Sequence, residues 1–283
     1  MKLVRYGAKG RENPGIVDGH GRVRDLSAYV PDIAGGALSQ TGLAAIKALD
    51  IESLPLVADD IRLGPCVGGV GKILCIGLNY HDHARETGRP TPEEPMLFMK
   101  ATSALGGAYD DVHMPRTSSE VDHEAELAVV IGTAAKYVAK ELALSHVAGY
   151  AIINDVSERV FQNKRGGQFT KGKSCDGFAP LGPWLVTADE IPDPQNLAVK
   201  LSVEGSLRQN GTTSDMVFDV ATLISYLSEM FTLHPGDIIA TGTPAGVAAA
   251  MTPPAFLQHG QRVHIEIDGL GFQETRFLKD MPA

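Results

Sequence analysis

Three cysteines in 283 residues, one tryptophan and 6% aromatic residues leave this chain short of several common building materials. Cys66, Cys75 and Cys175 are odd in number and never stand in a C-x-x-C arrangement. That excludes a disulfide framework and a cysteine zinc site, and leaves them as small buried hydrophobes. No apolar run approaches the roughly 18 residues of a membrane span, and the start, MKLVRYGAKG, has no apolar signal stretch. The expectation is a soluble cytoplasmic protein with no membrane partner. Positive charge is scarce too: 25 Lys and Arg stand against 34 Asp and Glu, a net charge of −9. That balance argues against nucleic acid as a partner. An anionic substrate would need a local reversal of sign, which a divalent metal supplies. No internal repeat is visible, which excludes a solenoid.

What remains is an ordinary globular composition, 43% hydrophobic and 21% charged, on a chain long enough for a substantial core. The stretch that organises it runs from Val121 to Asp155. Leu127–Ile131 has the β-branched, apolar character of a buried strand. Glu124 and Glu126 sit at its entrance, two apart, so both carboxylates leave the same face. Like charges held together repel unless a cation lies between them. Tyr150–Ile153 is a second apolar run, and it delivers Asp155 at its exit. Three hard oxygen ligands suit Mg²⁺, Mn²⁺ or Ca²⁺ rather than zinc. The plainer alternative is that each acid ends a strand and faces water.

Residues 1–65 read as a small separate α+β module: strands at Met1–Tyr6, Asn13–Val17 and Arg22–Leu26, helical spacing at Leu43–Leu49, and nothing catalytic. The glycine cluster Gly64–Gly71 is a candidate hinge to the main body, residues 66–283. There Lys72–Gly77 reads as a compact strand ending in LNYHDHARETG. His83 and Glu86, three apart, share a helical face, the carboxylate fixing the imidazole's tautomer as a water-activating base requires. A surface ion pair is the alternative, and His81, His83 and His123 as metal ligands is another. Met96–Lys100 is apolar and ends in Lys100, which can snorkel to solvent or reach an anion. Residues 101–120 read as loop and Glu204–Gly211 as a reverse turn. Met216–Leu233 carries Val220, Leu223, Ile224, Leu227 and Met230 on one core-facing stripe. The strand before Thr241-Gly242-Thr243-Pro244 presents hydroxyls that can hold a carboxylate, and Arg262–Ile267 leads into a hairpin at Asp268-Gly269.

Gly167–Ser174 (GQFTKGKS) fits G-x-x-x-x-G-K-[ST], the phosphate-binding loop. Its mechanism needs a buried strand before the loop and a helix beginning at the lysine. Here the preceding residues are polar, and Gly177, Pro180, Gly182 and Pro183 leave no room for a full helix. A nucleotide-binding protein built on this loop is therefore the rival from another class. Lys173 on such a loop can also swing over a substrate and stabilise an oxyanion.

Six segments in order, KILCIGLNYHDHARETG, MLFMK, VDHEAELAVVIG, GYAIINDVSERVFQ, GKSCDGFAPLGPWLVT and PGDIIATGTPAGV, resemble the fumarylacetoacetate hydrolase family over most of residues 72–270. The resemblance implies an α+β, predominantly β fold, a mixed β-sandwich roll with a small N-terminal domain. It also implies a divalent metal, usually Mg²⁺, and a homodimer or homotetramer. By motif position, Glu124, Glu126 and Asp155 would be ligands, His83 and Glu86 the water-activating dyad, and Lys173 the oxyanion-stabilising residue. Lys100, Arg159, Gln162 and Thr243 would line the pocket. Cys175 and Gly177 depart from the aromatic and Thr or Ser of many members, which bears on substrate choice. The N-terminal module is similar to that of a bacterial subgroup acting on 2,4-diketo-3-deoxy-L-rhamnonate, whose members are often named ureidoglycolate lyases. The implied reaction is hydrolysis of a 2,4-diketo acid to pyruvate, with acylpyruvate hydrolysis and oxaloacetate decarboxylation as relatives of it.

Overall fold

The protein is described by a computed structural model covering residues 1–279. In chain order it opens with β1 (Lys2–Tyr6), β2 (Asn13–Val17), β3 (Val23–Asp25) and α1 (Gln40–Lys47). After them come β4 (Ile73–Gly77), α2 (His81–Glu86), β5 (Met96–Lys100), β6 (Leu105–Gly107) and β7 (Val112–Met114). The centre of the chain holds β8 (Val121–Asp122), β9 (Ala125–Ile131), α3 (Lys140–Ala143), β10 (Val147–Asn154) and β11 (Ser157–Glu158). Next are α4 (Arg159–Asn163), α5 (Thr170–Lys173), β12 (Ala179–Thr187), β13 (Ala198–Val203) and β14 (Ser206–Thr212). The chain closes with α6 (Val220–Met230), β15 (Ile238–Ala240), β16 (Arg262–Ile267) and β17 (Gly271–Lys279).

A ten-stranded mixed sheet runs β3-β2-β1-β12-β10-β9-β15-β4-β5, with β6 added beside β12. A five-stranded sheet, β14-β13-β16-β17-β7, packs against it. The α+β, predominantly β fold expected from the resemblance is what is found. At the centre, all seven residues of β9 and all eight of β10 are buried, so apart from Glu126 and Asn154 these strands read as apolar runs instead of alternating. Truncating Leu127 to alanine there removes contacts on a site that cannot collapse, at about 2–5 kcal/mol.

The module over residues 1–65 does not stand apart from this sheet, because β1 pairs antiparallel with β12 through Lys2↔Val186 and Leu3↔Leu185. The glycine crossing after it is tied down, with Gly64 N–H on Arg5, Cys66 N–H on Leu181 and Gly68 N–H on Ile33. A Cβ at Gly68 would meet Asp32 Oδ2 at 2.2 Å, so a larger residue there would displace the Asp32 side chain from Arg5.

Three expectations need correction. The supposed loop over 101–120 holds β6 and β7, three residues each and paired parallel to β12 and β17. They are too short to carry a period. Glu204–Gly211 is a two-residue turn, with Glu204 at φ 49°, followed by β14. An edge strand of polar residues has no apolar alternation to reveal it. In α6, capped by Asp219 Oδ1 accepting from Thr222 N at 2.7 Å, Val220, Leu223, Ile224 and Leu227 are buried but Met230 is 46% exposed. The stripe leaves the core in the helix's last turn.

Candidate metal centre and active site

The register of β9 with β10 builds the centre. Ile153 pairs with Glu126 and Asn154 with Ala125, so Asp155, one step beyond β10, arrives beside Glu124, which lies just before β9. The arrival is fixed by Asp155 N–H donating to Glu124 O at 2.9 Å and by Glu124 N–H donating to Asn154 Oδ1 at 3.1 Å. Glu124, Glu126 and Asp155 then each present an oxygen within 4.8 Å of the others'. They are the single such cluster of three or more candidate ligands among the described residues. The set is all carboxylate, without sulfur or imidazole, which fits a hard divalent cation. His123 stays out of it, its Nε2 facing Gly246 O at 3.3 Å, and His83 is committed to Glu86. The three-histidine reading is therefore wrong.

Three cations surround the acids. Lys173 Nζ donates to Glu124 Oε2 at 2.6 Å and to Asp155 Oδ2 at 2.7 Å. Lys100 Nζ donates to Asp155 Oδ1 at 2.5 Å and to Val156 O at 3.0 Å. Arg159 Nη2 reaches Glu124 Oε1 at 2.6 Å and Asp122 Oδ2 at 2.7 Å, while its Nη1 donates to Gln162 Oε1. Burial favours the neutral acid at Glu124, but Lys173 and Arg159 overcome it and hold the carboxyl at about 2. Glu126 goes the other way: burial, then the charges of Asp155 and Glu124, push its carboxyl well above the ordinary range. Among the described residues its one direct hydrogen bond comes from Gly242 N–H at 2.8 Å on Oε2. Gly242 sits at φ 99° against Asn79, where a Cβ would meet Asn79 Cβ at 2.8 Å. Only glycine lets that backbone come close enough to donate.

The dyad is carried by α2, six residues long, at the exit of β4. His83 Nδ1 lies 2.7 Å from Glu86 Oε1, and Gly246 N–H donates to both Glu86 oxygens at 2.9 and 3.1 Å. The pair is thus anchored to the chain after Thr243, not free on the surface. Asp82, at the same helix's start, accepts from Ala245 N–H at 3.1 Å. Asn79 ties the entry, its amide donating to Thr241 O and Phe218 O.

These parts open on one cavity of about 360 Å³. His83, Glu86, Glu124, Glu126, Arg159, Gln162, Lys173 and Thr243 all line it. Asp155 and Lys100 do not. Both are fully buried behind the wall, and Lys100, expected on the pocket surface, instead holds Asp155 from beneath. The phosphate-loop match also fails on geometry: α5 is a single turn with Lys173 at its end, and the lysine points at carboxylates. Cys66 and Cys75 are buried as expected, while Cys175 is half-exposed.

Asp122 was not singled out by the sequence. It is fully buried and accepts from Arg159, from its neighbour's His123 N–H and from Ala248 and Ala249 N–H at 2.7 and 3.1 Å. Acids in a VDHE run look alike in sequence; only its partner 126 positions away marks it. Phe98 and Phe169, edge to face at 5.6 Å, were missed likewise. Phe98 lies under Lys173 Nζ at 5.1 Å from its ring centroid.

The chain is similar to known proteins over nearly its whole length. Residues 72–278 match the family described as fumarylacetoacetate (FAA) hydrolase C-terminal. A protein of Burkholderia ambifaria, provisionally named a hydrolase, is 56% identical over 279 residues, 98% of this chain and 99% of its own. A fumarylacetoacetate hydrolase from psychrophilic Exiguobacterium antarcticum superposes with a TM-score of 0.84 at 36% identity, over 99% of this chain and 100% of that one. A maleylpyruvate hydrolase from Sphingobium sp. SYK-6, solved with manganese(II) and pyruvate, gives 0.82 at 32% identity over the same shares.

Proposed function

This chain belongs to the fumarylacetoacetate hydrolase family, and we propose that it is a divalent-cation-dependent hydrolase that splits the C3–C4 bond of a 2,4-diketo acid. Membership and relatives make it an enzyme acting on a small-molecule acid. The finer reading rests on one observation: Glu124 and Glu126 of the three clustered carboxylates, the His83–Glu86 pair and Lys173 face a single cavity, with Asp155 buried behind its wall. The neighbour holding manganese and pyruvate supports it.

Glu124, Glu126 and Asp155 would hold Mg²⁺, with Mn²⁺ or Ca²⁺ as alternatives. Bound there, the cation would supply chelation of a 2-oxo acid's carboxylate and keto oxygens and a sink for the departing enolate's charge. The residues do the rest. Glu86 accepts from His83 Nδ1–H, which leaves Nε2 free to take a proton from water as it adds to C4. Lys173 steadies the oxygen that becomes negative at C4. Arg159, Gln162 and Thr243 orient the acid from the wall, and Lys100 fixes Asp155. The atoms balance: the diketo acid and water give pyruvate, a carboxylate from the acyl part and a proton.

The subgroup resemblance makes 2,4-diketo-3-deoxy-L-rhamnonate, cleaved to pyruvate and lactate, the first substrate to test. Ureidoglycolate and oxaloacetate come next. With this reading goes a homodimer or homotetramer. The test is pyruvate release from 2,4-diketo acids in step with loss of their ultraviolet absorbance. Chelator should stop it and Mg²⁺ or Mn²⁺ restore it; a chelator-resistant rate, or no pyruvate from any diketo acid, overturns the reading.

A further inference from the structure

β14 lies at the edge of the five-stranded sheet, and its one buried side chain is a polar one, Gln209. An amide taken out of water is costly unless its donors and acceptor are used. Here they are used in full view of the site. Gln209 Oε1 accepts from Ala125 N–H at 2.9 Å, and Nε2 donates to Thr243 Oγ1 and to Pro244 O, both at 2.7 Å. A backbone N–H on one side and a carbonyl on the other admit only this orientation of the amide. Thr243 Oγ1, accepting from Gln209, gives its own proton to Ala125 O at 2.9 Å. Three hydrogen bonds thus close a ring through Ala125, Gln209 and Thr243.

The two ends of that ring belong to the two halves of the site. Ala125 stands between Glu124 and Glu126. Thr243-Pro244 opens the turn whose Ala245 N–H holds Asp82 and whose Gly246 N–H holds Glu86, both on the helix that carries His83. The turn lies directly on β14: a Cβ at Gly211 would meet Pro244 Cβ at 2.4 Å, and one at Gly246 would meet Arg208 O at 2.0 Å. Gln209 is fully buried and does not line the cavity. It can act on a reaction there only through what it holds.

We infer that Gln209 is a positioning residue that sets the spacing between the carboxylate cluster and the His83–Glu86 pair. This rests on the roles given to both in the previous subsection. Both halves must meet one substrate at once, and a misplacement of about 1 Å costs on the order of 10²-fold in rate. The strand that supplies Gln209 is bound to neither half by sequence; the amide alone joins Ala125 to the turn 118 positions on, beside the direct Thr243 hydroxyl.

The test sets Gln209→Met, which keeps the reach of the side chain and removes its hydrogen bonds, beside the wild type and Arg24→Met. Arg24 lies in an ion-pair cluster near the N-terminus and outside the cavity wall, so its variant controls for lost stability alone. With rates taken per bound Mn²⁺ below each protein's melting temperature, Gln209→Met should lose about 30- to 100-fold in kcat while KM stays within about threefold. Arg24→Met should keep both constants. A kcat for Gln209→Met equal to that of the wild type, a loss carried in KM alone, or the same loss in Arg24→Met overturns the inference. A second readout needs no substrate: in alkaline buffer the ¹⁵N resonances of the His83 ring report which nitrogen bears the proton. The Nδ1–H form held by Glu86 should dominate in the wild type and in Arg24→Met and give way to a mixture in Gln209→Met; identical spectra in all three overturn the inference. If no diketo acid is cleaved, the hydrolase reading fails by itself and this spectrum decides for Gln209. Should Gln209→Met not fold, Gln209→Asn, whose shorter amide cannot span both ends, takes the same measurements with the same expected and contrary results.

Discussion

Near the N-terminus, Asp18 meets Arg24 at 2.8 Å and Arg22 at 3.0 Å, and Arg24 reaches on to Glu52 at 2.9 Å. Around β9 and β10, Asp122, Glu124, Glu126 and Asp155 face Lys100, Arg159 and Lys173. Both groups are tightly hydrogen-bonded, yet they are balanced differently. In the first, every acid meets a guanidinium, and Arg24 also donates to Glu52 O and Leu54 O, stitching β3 to the segment after α1. In the second, four acids share three cations, and Glu126 meets none of them directly. A cluster that only holds a fold together can be neutral within itself. One that is completed by a ligand carries its imbalance until the ligand arrives.

The largest effects fall on the unbalanced cluster. Glu126→Gln should lower turnover by roughly 10³-fold or more by removing a ligand, yet its melting temperature in chelator should match or exceed that of the wild type. Calorimetry and activity read together check this, and a variant that melts lower without metal would mean that Glu126 is structural like Asp18. His83→Ala should keep metal binding and lose about 10²- to 10⁴-fold in rate, measured as pyruvate release. Retained activity would remove the base from the scheme.

The balanced cluster should answer in stability. Arg24 is 8% exposed in its side chain, so Arg24→Met leaves the Glu52 and Leu54 carbonyls without their donor and Asp18 with Arg22 as its one guanidinium, and should cost about 2–3 kcal/mol in denaturant unfolding. Its metal affinity should not move. The smallest effect concerns pH. Asp110 is pulled below its ordinary 3.8, burial opposing and the Arg62 hydrogen bonds prevailing. Its folded value is the lower one, so its contribution is present above about pH 4 and is lost as pH falls through the folded value. Arg62→Met should lose that stability at neutral pH and flatten the acid limb of the stability curve.

The same contrast explains what could be read from the sequence. Glu124, Glu126 and Asp155 were legible because two-residue spacing on a strand and a position at a strand's exit are local facts. His83 with Glu86 was legible for the same reason on a helix. Asp122 was not, because its meaning comes from Arg159 and from Ala248 and Ala249, brought to it only by the fold. Lys100 was misplaced from wall to foundation since strand alternation says which face a side chain takes, not what waits there. β14 hid as a turn because its exposed edge has no apolar pattern, and the 1–65 module looked separate because β1's pairing with β12 joins Lys2 to Val186, far apart in the chain.

Manganese titration of metal-free protein, followed by calorimetry, addresses the central claim most directly. One ion per chain should bind to the wild type and to Arg24→Met alike, and none to Glu126→Gln. Equal uptake by Glu126→Gln and the wild type would contradict the assignment of the unbalanced acids to a cation.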